Sequence, residues 1–138
     1  MLIGRKCMLA NARLQTIICS SRLEEAEPFY REVLGLPLRG RSIGALVFDV
    51  GGGDLRVSPV PPGPPPEHTV AGFRVDDVVS SVRQLAARGV AFALLDHLTH
   101  DENGIATAPD GSRVAWFSDP DGNMLSIVQY AQPIGDEA

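Results

Sequence analysis

The sequence predicts an α+β domain made of two copies of one βαβββ module, and three observations carry that prediction. The chain has 138 residues and a mass of 14.7 kDa, enough for a single core and too little for separate cofactor and substrate domains. A strand pattern opening at Gln15 returns at Val70, and a helix pattern opening at Leu23 returns at Val78, each offset by 55 residues, which marks a duplicated unit. Fourteen glycines and eleven prolines favour short elements joined by many turns. The expected organisation is an N-terminal arm over 1–12, one domain over 13–130 and a polar tail over 131–138. Within the domain the modules span 13–60 and 68–130, joined by a proline-rich connector over 59–67.

The elements follow in order. Gln15-Thr-Ile-Ile-Cys19 is strand-like, and Ser21-Arg-Leu-Glu24 fits a capping box that opens a helical turn. An interior proline removes a backbone donor, so Pro28 is placed in the first turn of a main helix ending at Leu34, with Gly35 as its C′ residue. Phe29 and Tyr30 on that helix are expected in the core. Ala45–Val50 and Leu55–Ser58 read as antiparallel strands around Gly51-Gly-Gly53. The run Pro59 to Pro66 is neither helix nor inner strand and reads as a stiff connector. In the second module Val70–Val75 is a strand and Asp77 caps a helix. That helix carries an apolar stripe of Val78, Val82, Leu85 and Ala86, and Gly89 ends it. Val90–Leu95, Arg113–Ser118 and Met124–Gln129 follow as strands, the last two joined by the turn signal Asp119-Pro-Asp-Gly-Asn123.

Charge and composition narrow the function. Twelve basic against seventeen acidic residues give a net charge of −5, and no basic run offers a phosphate-backbone footprint, so nucleic acid is not an expected partner. Every apolar stretch falls short of the roughly 18 residues that suggest a membrane span, and the first residues have the wrong order for a signal peptide. The expected location is the cytoplasm, with Cys7 and Cys19 as reduced thiols. No Ser/His/Asp order, phosphate-cradling loop or paired-carboxylate motif is present, and no catalytic residue is assigned.

Three motifs then stand together. Phe29-Tyr-Arg-Glu-Val-Leu-Gly-Leu36 follows a strand and turn, and Phe73-Arg-Val-Asp-Asp77 precedes a helix ending Ala87-Arg-Gly-Val90. Phe117-Ser-Asp-Pro-Asp-Gly-Asn123 precedes the last strand. In order and spacing they resemble the vicinal oxygen chelate superfamily of glyoxalases, bleomycin resistance proteins and extradiol dioxygenases, over roughly residues 13–130. The resemblance implies paired glyoxalase-like βαβββ modules in an open, barrel-like arrangement bearing a cleft, frequently in a homodimer. In metal-dependent members it implies a ligand set of His or Gln, Glu, His and Glu. Carried onto this chain, those positions fall on Gln15, Arg56, Val70 and Ser126. Only Gln15 is a permitted ligand type, and the fixed charge of Arg56 repels a cation. His68 shares strand parity with Val70, and a slipped register would supply one ligand there. His97, His100, Asp101 and Glu102 sit in a polar loop beside Asn103-Gly104 and read as solvated rather than ligating.

Strand alternation lines the cleft with Gln15, Ile17, Arg56, Ser58, Gly72, Arg74, Met124 and Ser126. Trp116 is preferred over Phe117 as its aromatic wall. Arg56 has a second reading, as the partner of Asp54 or another carboxylate, and Arg74 has one as a solvated rim residue. Cys19 shares parity with Gln15 and Ile17, but no activating base is near in sequence, and it reads as a small buried hydrophobe. The expected function is therefore a metal-free, cofactor-free small-molecule-binding protein of the glyoxalase/bleomycin-resistance type. Its cleft would favour a small anionic or carbonyl-bearing organic ligand, which a guanidinium holds bidentately. The alternatives are a metal-dependent glyoxalase-like lyase or dioxygenase and a module with no ligand. Whether binding leads to turnover stays open.

Overall fold

Strand alternation and two short helices divide the chain into two modules of the same topology. The structure, a computed structural model, describes residues 9–132, so most of the expected arm, including Cys7, and most of the tail lie outside the described residues. The chain falls into two compact units that divide between Pro62 and Gly63.

The first unit runs β1 (Gln15–Ser20), α1 (Leu23–Pro28), β2 (Leu38–Ser42), β3 (Ala45–Val50) and β4 (Gly53–Pro59). Its sheet has the order β1-β4-β3-β2, with β1 parallel to β4 and the other pairs antiparallel. A parallel pair needs a crossover, and α1 supplies it. Ile18, Leu46, Phe48, Leu55 and Val57 are buried with Ala26 and Tyr30, and the Tyr30 ring lies 5.9 Å from Phe48. The opposite face of the sheet is free of its helix.

The helical segment corrects two expectations. No capping box forms: the N-cap residue is Arg22, without a side-chain cap, and the Ser20 hydroxyl accepts from the Arg22 N–H at 3.0 Å. Pro28 is not at the start of a separate helix but at the end of α1, which continues as a π-helical turn over Phe29–Val33. Proline offers no N–H and its ring crowds the carbonyl four residues back. The next turn is wider, with the Leu34 N–H reaching the Phe29 carbonyl at 2.9 Å. Gly35, at φ 75°, ends the segment as expected.

Strand β2 has no alternating pattern to mark it in the sequence; pairing with β3 holds it, with a bulge between Leu38 and Gly40. Its hairpin turns through Ile43 and Gly44, at φ 52° and 77°, between the paired residues Ser42 and Ala45. A β-branched residue in the left-handed region is strained, and Ile43 is 92% exposed, so no packing compensates. Ile43→Asn creates the Asn-Gly pair such turns favour and is expected to stabilise the protein by about 1 kcal/mol. Urea unfolding checks this, and an unchanged midpoint refutes it.

The second unit runs β5 (Thr69–Arg74), α2 (Val78–Ala87), β6 (Phe92–Ala93), β7 (Ala106–Thr107), β8 (Arg113–Ser118) and β9 (Met124–Gln129). Its sheet repeats the first, in the order β5-β9-β8-β6 with β5 parallel to β9, and β7 adds to β8. The two helices begin 55 residues apart, at Leu23 and Val78. Asp77 caps α2 by accepting from the Ser80 N–H at 3.1 Å. Val78 and Val82 are buried with Ala115, Phe117, Leu125 and Ile127, whereas Ala86 at the end of the expected stripe is exposed. The strand expected over Val90–Leu95 shrinks to Phe92–Ala93, because the Leu95 N–H is donated to His100 Nε2 rather than to a neighbouring strand. Among the described residues no helix is long and apolar enough to cross a membrane.

Candidate functional site

In the first unit, register decides which side chains share the helix-free face. Gln15 lies opposite Asp54, Ile17 opposite Arg56 and Cys19 opposite Ser58. Because β1 alternates, Gln15, Ile17 and Cys19 are exposed while Ile18 and Ser20 are buried beneath α1. Cys19 is thus not the buried hydrophobe its sequence suggests. The structure brings Gln15, Ile17, Arg56 and Ser58 onto adjacent strands of one face, as strand parity requires.

The charges on that face rule out the second reading of Arg56, as the partner of Asp54. Asp54 is bound by Arg39 and by Arg13, whose Nε is 3.0 Å from Oδ1, and Arg13 also reaches Asp49 at 2.9 Å. Asp49 and Asp54 are cross-strand partners, so without the guanidinium two like charges would face each other. Arg56 instead donates from Nη2 to the Ser42 carbonyl at 2.7 Å. Sequence reading misses this clamp, although the signal is present: a tight turn through Gly51 and Gly52 pairs Val50 with Gly53, and the next pair must be Asp49 with Asp54.

The hydrogen bond from Arg39, and those from Arg13, hold the Asp54 carboxyl below the ordinary carboxylate range. Asp110 is lowered as well, first by the Ser112 backbone N–H and then by the Ser112 hydroxyl. Groups with depressed folded values bind protons less readily folded than unfolded. The stability they contribute is present above the unfolded range, near pH 4, and is lost as pH falls through the folded values. The thermal midpoint is therefore expected to drop on acidification below about pH 4, and Asp54→Asn should flatten that drop. An Asp54→Asn profile parallel to the parent's throughout would refute this.

In the second unit one cross-strand row of the helix-free face reads Gly72, Ser126, Trp116, Ala93. Met124 and Arg74 flank it on β9 and β5. The residue opposite Ser126 is Gly72 rather than Ala71, because the β5–β9 register shifts by one between Thr69 and Ala71. A Cβ at Gly72 would stand 2.9 Å from Ser126 Oγ, so the glycine keeps that hydroxyl uncovered from this side. Trp116 is half-buried on this face, while Phe117 is 1% exposed beneath α2. Arg74 is exposed, and its guanidinium carbon lies 5.8 Å from the centroid of the Tyr130 ring.

Divalent metals in such a face need several nitrogen or carboxylate donors. On the first unit's face Gln15 offers one amide oxygen, its neighbour Asp54 is committed to two guanidinium groups and Arg56 offers no anionic ligand, and on the second unit's face neither Gly72 nor Ser126 offers one. Neither face by itself presents a donor set that fits a divalent cation. Among the described residues no group of three or more His, Cys, Asp or Glu side chains is arranged to hold a metal. The loop histidine His100 is engaged rather than solvated: Nε2 accepts from the Leu95 N–H at 2.9 Å, so Nδ1 carries the proton and donates to the Gly104 carbonyl at 2.9 Å. On the other side of this unit, α2 and the 94–104 loop border a groove of about 610 Å³, with Val82, Phe92 and Leu94 among its walls.

Comparison with known proteins fits this architecture. The model of the glyoxalase/bleomycin resistance protein/dioxygenase superfamily matches residues 13–127, and the chain belongs to that superfamily. A search of curated proteins returned no match. Among solved structures, TnmS3, an antibiotic binding protein from Streptomyces sp. CB03234, is 27% identical with a TM-score of 0.65, covering 87% of this chain and 96% of its own. Lactoylglutathione lyase from Agrobacterium tumefaciens is 22% identical with a TM-score of 0.64, covering 86% and 92%. A superfamily member from Sphaerobacter thermophilus is 23% identical with a TM-score of 0.65, covering 89% and 100%. The last two are similar in fold alone.

Proposed function

We propose that the protein is a metal-free small-molecule-binding protein whose helix-free sheet faces each carry ligand-binding residues, selective for small anionic or carbonyl-bearing organic ligands. The observation that carries this reading is Arg56. Arg56 lies opposite Ile17 in the β1–β4 register on the helix-free face, its guanidinium is fixed by the Ser42 carbonyl on β2, and it has no carboxylate partner among the described residues. A fixed positive charge with unused fork donors next to an exposed apolar side chain suits an oxyanion or polarised carbonyl on an organic body. On the first unit's face Gln15 and Ser58 would orient a ligand and Ile17 cover its apolar part; on the second unit's face Ser126 would take the polar role and Met124 and Trp116 the apolar one, with Arg74 at the rim. Likeness to an antibiotic binding protein supports the same class. The assembly proposed with it is a homodimer, which light scattering would report as twice 14.7 kDa.

The test pairs a thermal-shift screen of organic anions, neutral carbonyl compounds and cations with elemental analysis of protein purified without chelator. Anionic or carbonyl compounds are expected to raise the midpoint, since a ligand at about a hundred times its Kd stabilises the native state by about 2.7 kcal/mol. Stoichiometric nickel, zinc, iron or manganese would overturn the metal-free reading. A set of hits that were all cationic would overturn the assigned charge preference.

A further inference from the structure

Trp116 is the one large side chain in its cross-strand row. Its neighbours are Ser126 on β9 and Ala93 on β6, and beyond Ser126 lies Gly72, so nothing within the row holds a ring of that size in place. An aromatic contact reaches the indole from outside the row. The His100 ring meets it edge-to-face, with centroids 6.2 Å apart and planes at 73°.

The imidazole is itself fixed. It accepts from Leu95 at one nitrogen and donates to Gly104 at the other, and thereby joins the two halves of the 94–104 loop. Each half is closed by its own backbone bond, Leu98 N–H to the Leu95 carbonyl and Gly104 N–H to the Asp101 carbonyl, both at 3.0 Å. The His100 backbone also bridges to Ala106, so the side chain is anchored at its base. A ring with both polar atoms bound and its backbone paired cannot turn without breaking a hydrogen bond. Its edge is therefore a fixed stop for the indole.

We infer that His100 is a positioning residue for Trp116: it holds the indole upright as a fixed wall beside the Gly72–Ser126 trough. That the trough takes a ligand rests on the function proposed above, whereas the positioning itself does not. The consequence for binding is preorganisation, because a wall already held costs the ligand no ordering of a large side chain.

The sequence contains a single tryptophan, so the emission of the whole chain reports this indole without any ligand. Acrylamide quenching and time-resolved anisotropy are measured on the full chain and on three variants, each checked for native circular dichroism. His100→Ala is expected to raise the quenching constant at least about twofold and to add a nanosecond local depolarisation, the timescale of a released side chain. His100→Phe, which keeps a ring but neither hydrogen bond, should restore part of the immobility. His97→Ala, in the same loop, should change neither reading. A folded His100→Ala protein with parental quenching and anisotropy would overturn the inference. If the alanine variant does not fold, His100→Asn, which lacks the ring but keeps polar atoms for the loop, decides in its place, and parental quenching and anisotropy there would overturn the inference equally. A mobile indole in His97→Ala equal to that in His100→Ala would overturn it as well, since general loosening of the loop would then suffice. The cleft is tested separately, by the affinity of Trp116→Ala for any compound found in the thermal-shift screen. An indole freed by His100→Ala together with unchanged affinity in Trp116→Ala would uphold the positioning and reject Trp116 as part of the cleft.

Discussion

Arg56→Ala is expected to weaken an anionic or carbonyl-bearing ligand by about one to two powers of ten, because a hydrogen bond to a charged group contributes roughly 1.5–3 kcal/mol. Arg56→Lys keeps the charge but replaces the planar fork by a point donor, so it should fall between alanine and the parent. The two variants separate charge from geometry. Equal losses in both would make bidentate geometry the main contribution, and parental affinity in the lysine variant would make it charge alone. Calorimetry with the best compound of the screen reads the effect directly. Because Arg56 also donates to the Ser42 carbonyl, each variant needs a native circular dichroism spectrum before its affinity is interpreted. A folded Arg56→Ala protein that binds as tightly as the parent removes the basis for the proposed function.

Asp119→Ala carries the largest expected loss of stability among polar substitutions. The Asp119 carboxylate accepts from the Asp121 N–H at 3.0 Å, the Asn123 N–H at 2.8 Å and the Asn123 side-chain amide at 2.9 Å. Asp119 and Asn123 are both buried, at 5% and 3% exposure, so donors left behind by alanine have little access to water. Each orphaned buried donor costs on the order of 1–3 kcal/mol, and because these share one turn the total should be about 3 kcal/mol rather than their sum. Asp119→Asn keeps one acceptor oxygen and should lose less. Urea unfolding measures both, and an alanine variant within about 0.5 kcal/mol of the parent would show that the turn is held by its backbone alone. This turn also sets the β8–β9 register that places Trp116 opposite Ser126, so its loosening should reach the helix-free face.

Much of the fold is legible in the sequence because it rests on local chemistry. The strands over Arg113–Ser118 and Met124–Gln129 lie where alternation and the Asp-Pro-Asp-Gly-Asn turn put them. Asp77 caps its helix as its residue type requires, and Gly35 ends the first helical segment in the left-handed region. Strands β2 and β7 escape because neither has a pattern of its own; each exists through the strand it pairs with. The capping box fails for a related reason. Ser21 has the right identity at the right spacing, but the helix opens one residue later, with Arg22 at the N-cap, so Ser21 stands outside the position from which a side chain caps the first turn.

The candidate site divides along the same line. By itself the sequence determined the family motifs, the duplicated module and the identity of residues on each strand face, since a period of two leaves no freedom once a strand is granted. Through the family resemblance, it implied an arginine, a valine and a serine at the positions that hold metal-binding carboxylates and imidazole in metal-dependent members. Only the tertiary structure decided which partners those residues take. Whether Asp54 meets Arg56 or is taken by Arg13 and Arg39 depends on charged side chains converging from separate segments. Gly72 rather than Ala71 faces Ser126 because of a register shift between two strands far apart in the chain. His100 leaves solvent for Trp116 because the loop closes on backbone donors and acceptors that any sequence could offer. Such choices are made by distance and competition among groups far apart in sequence, and periodicity carries no information about them.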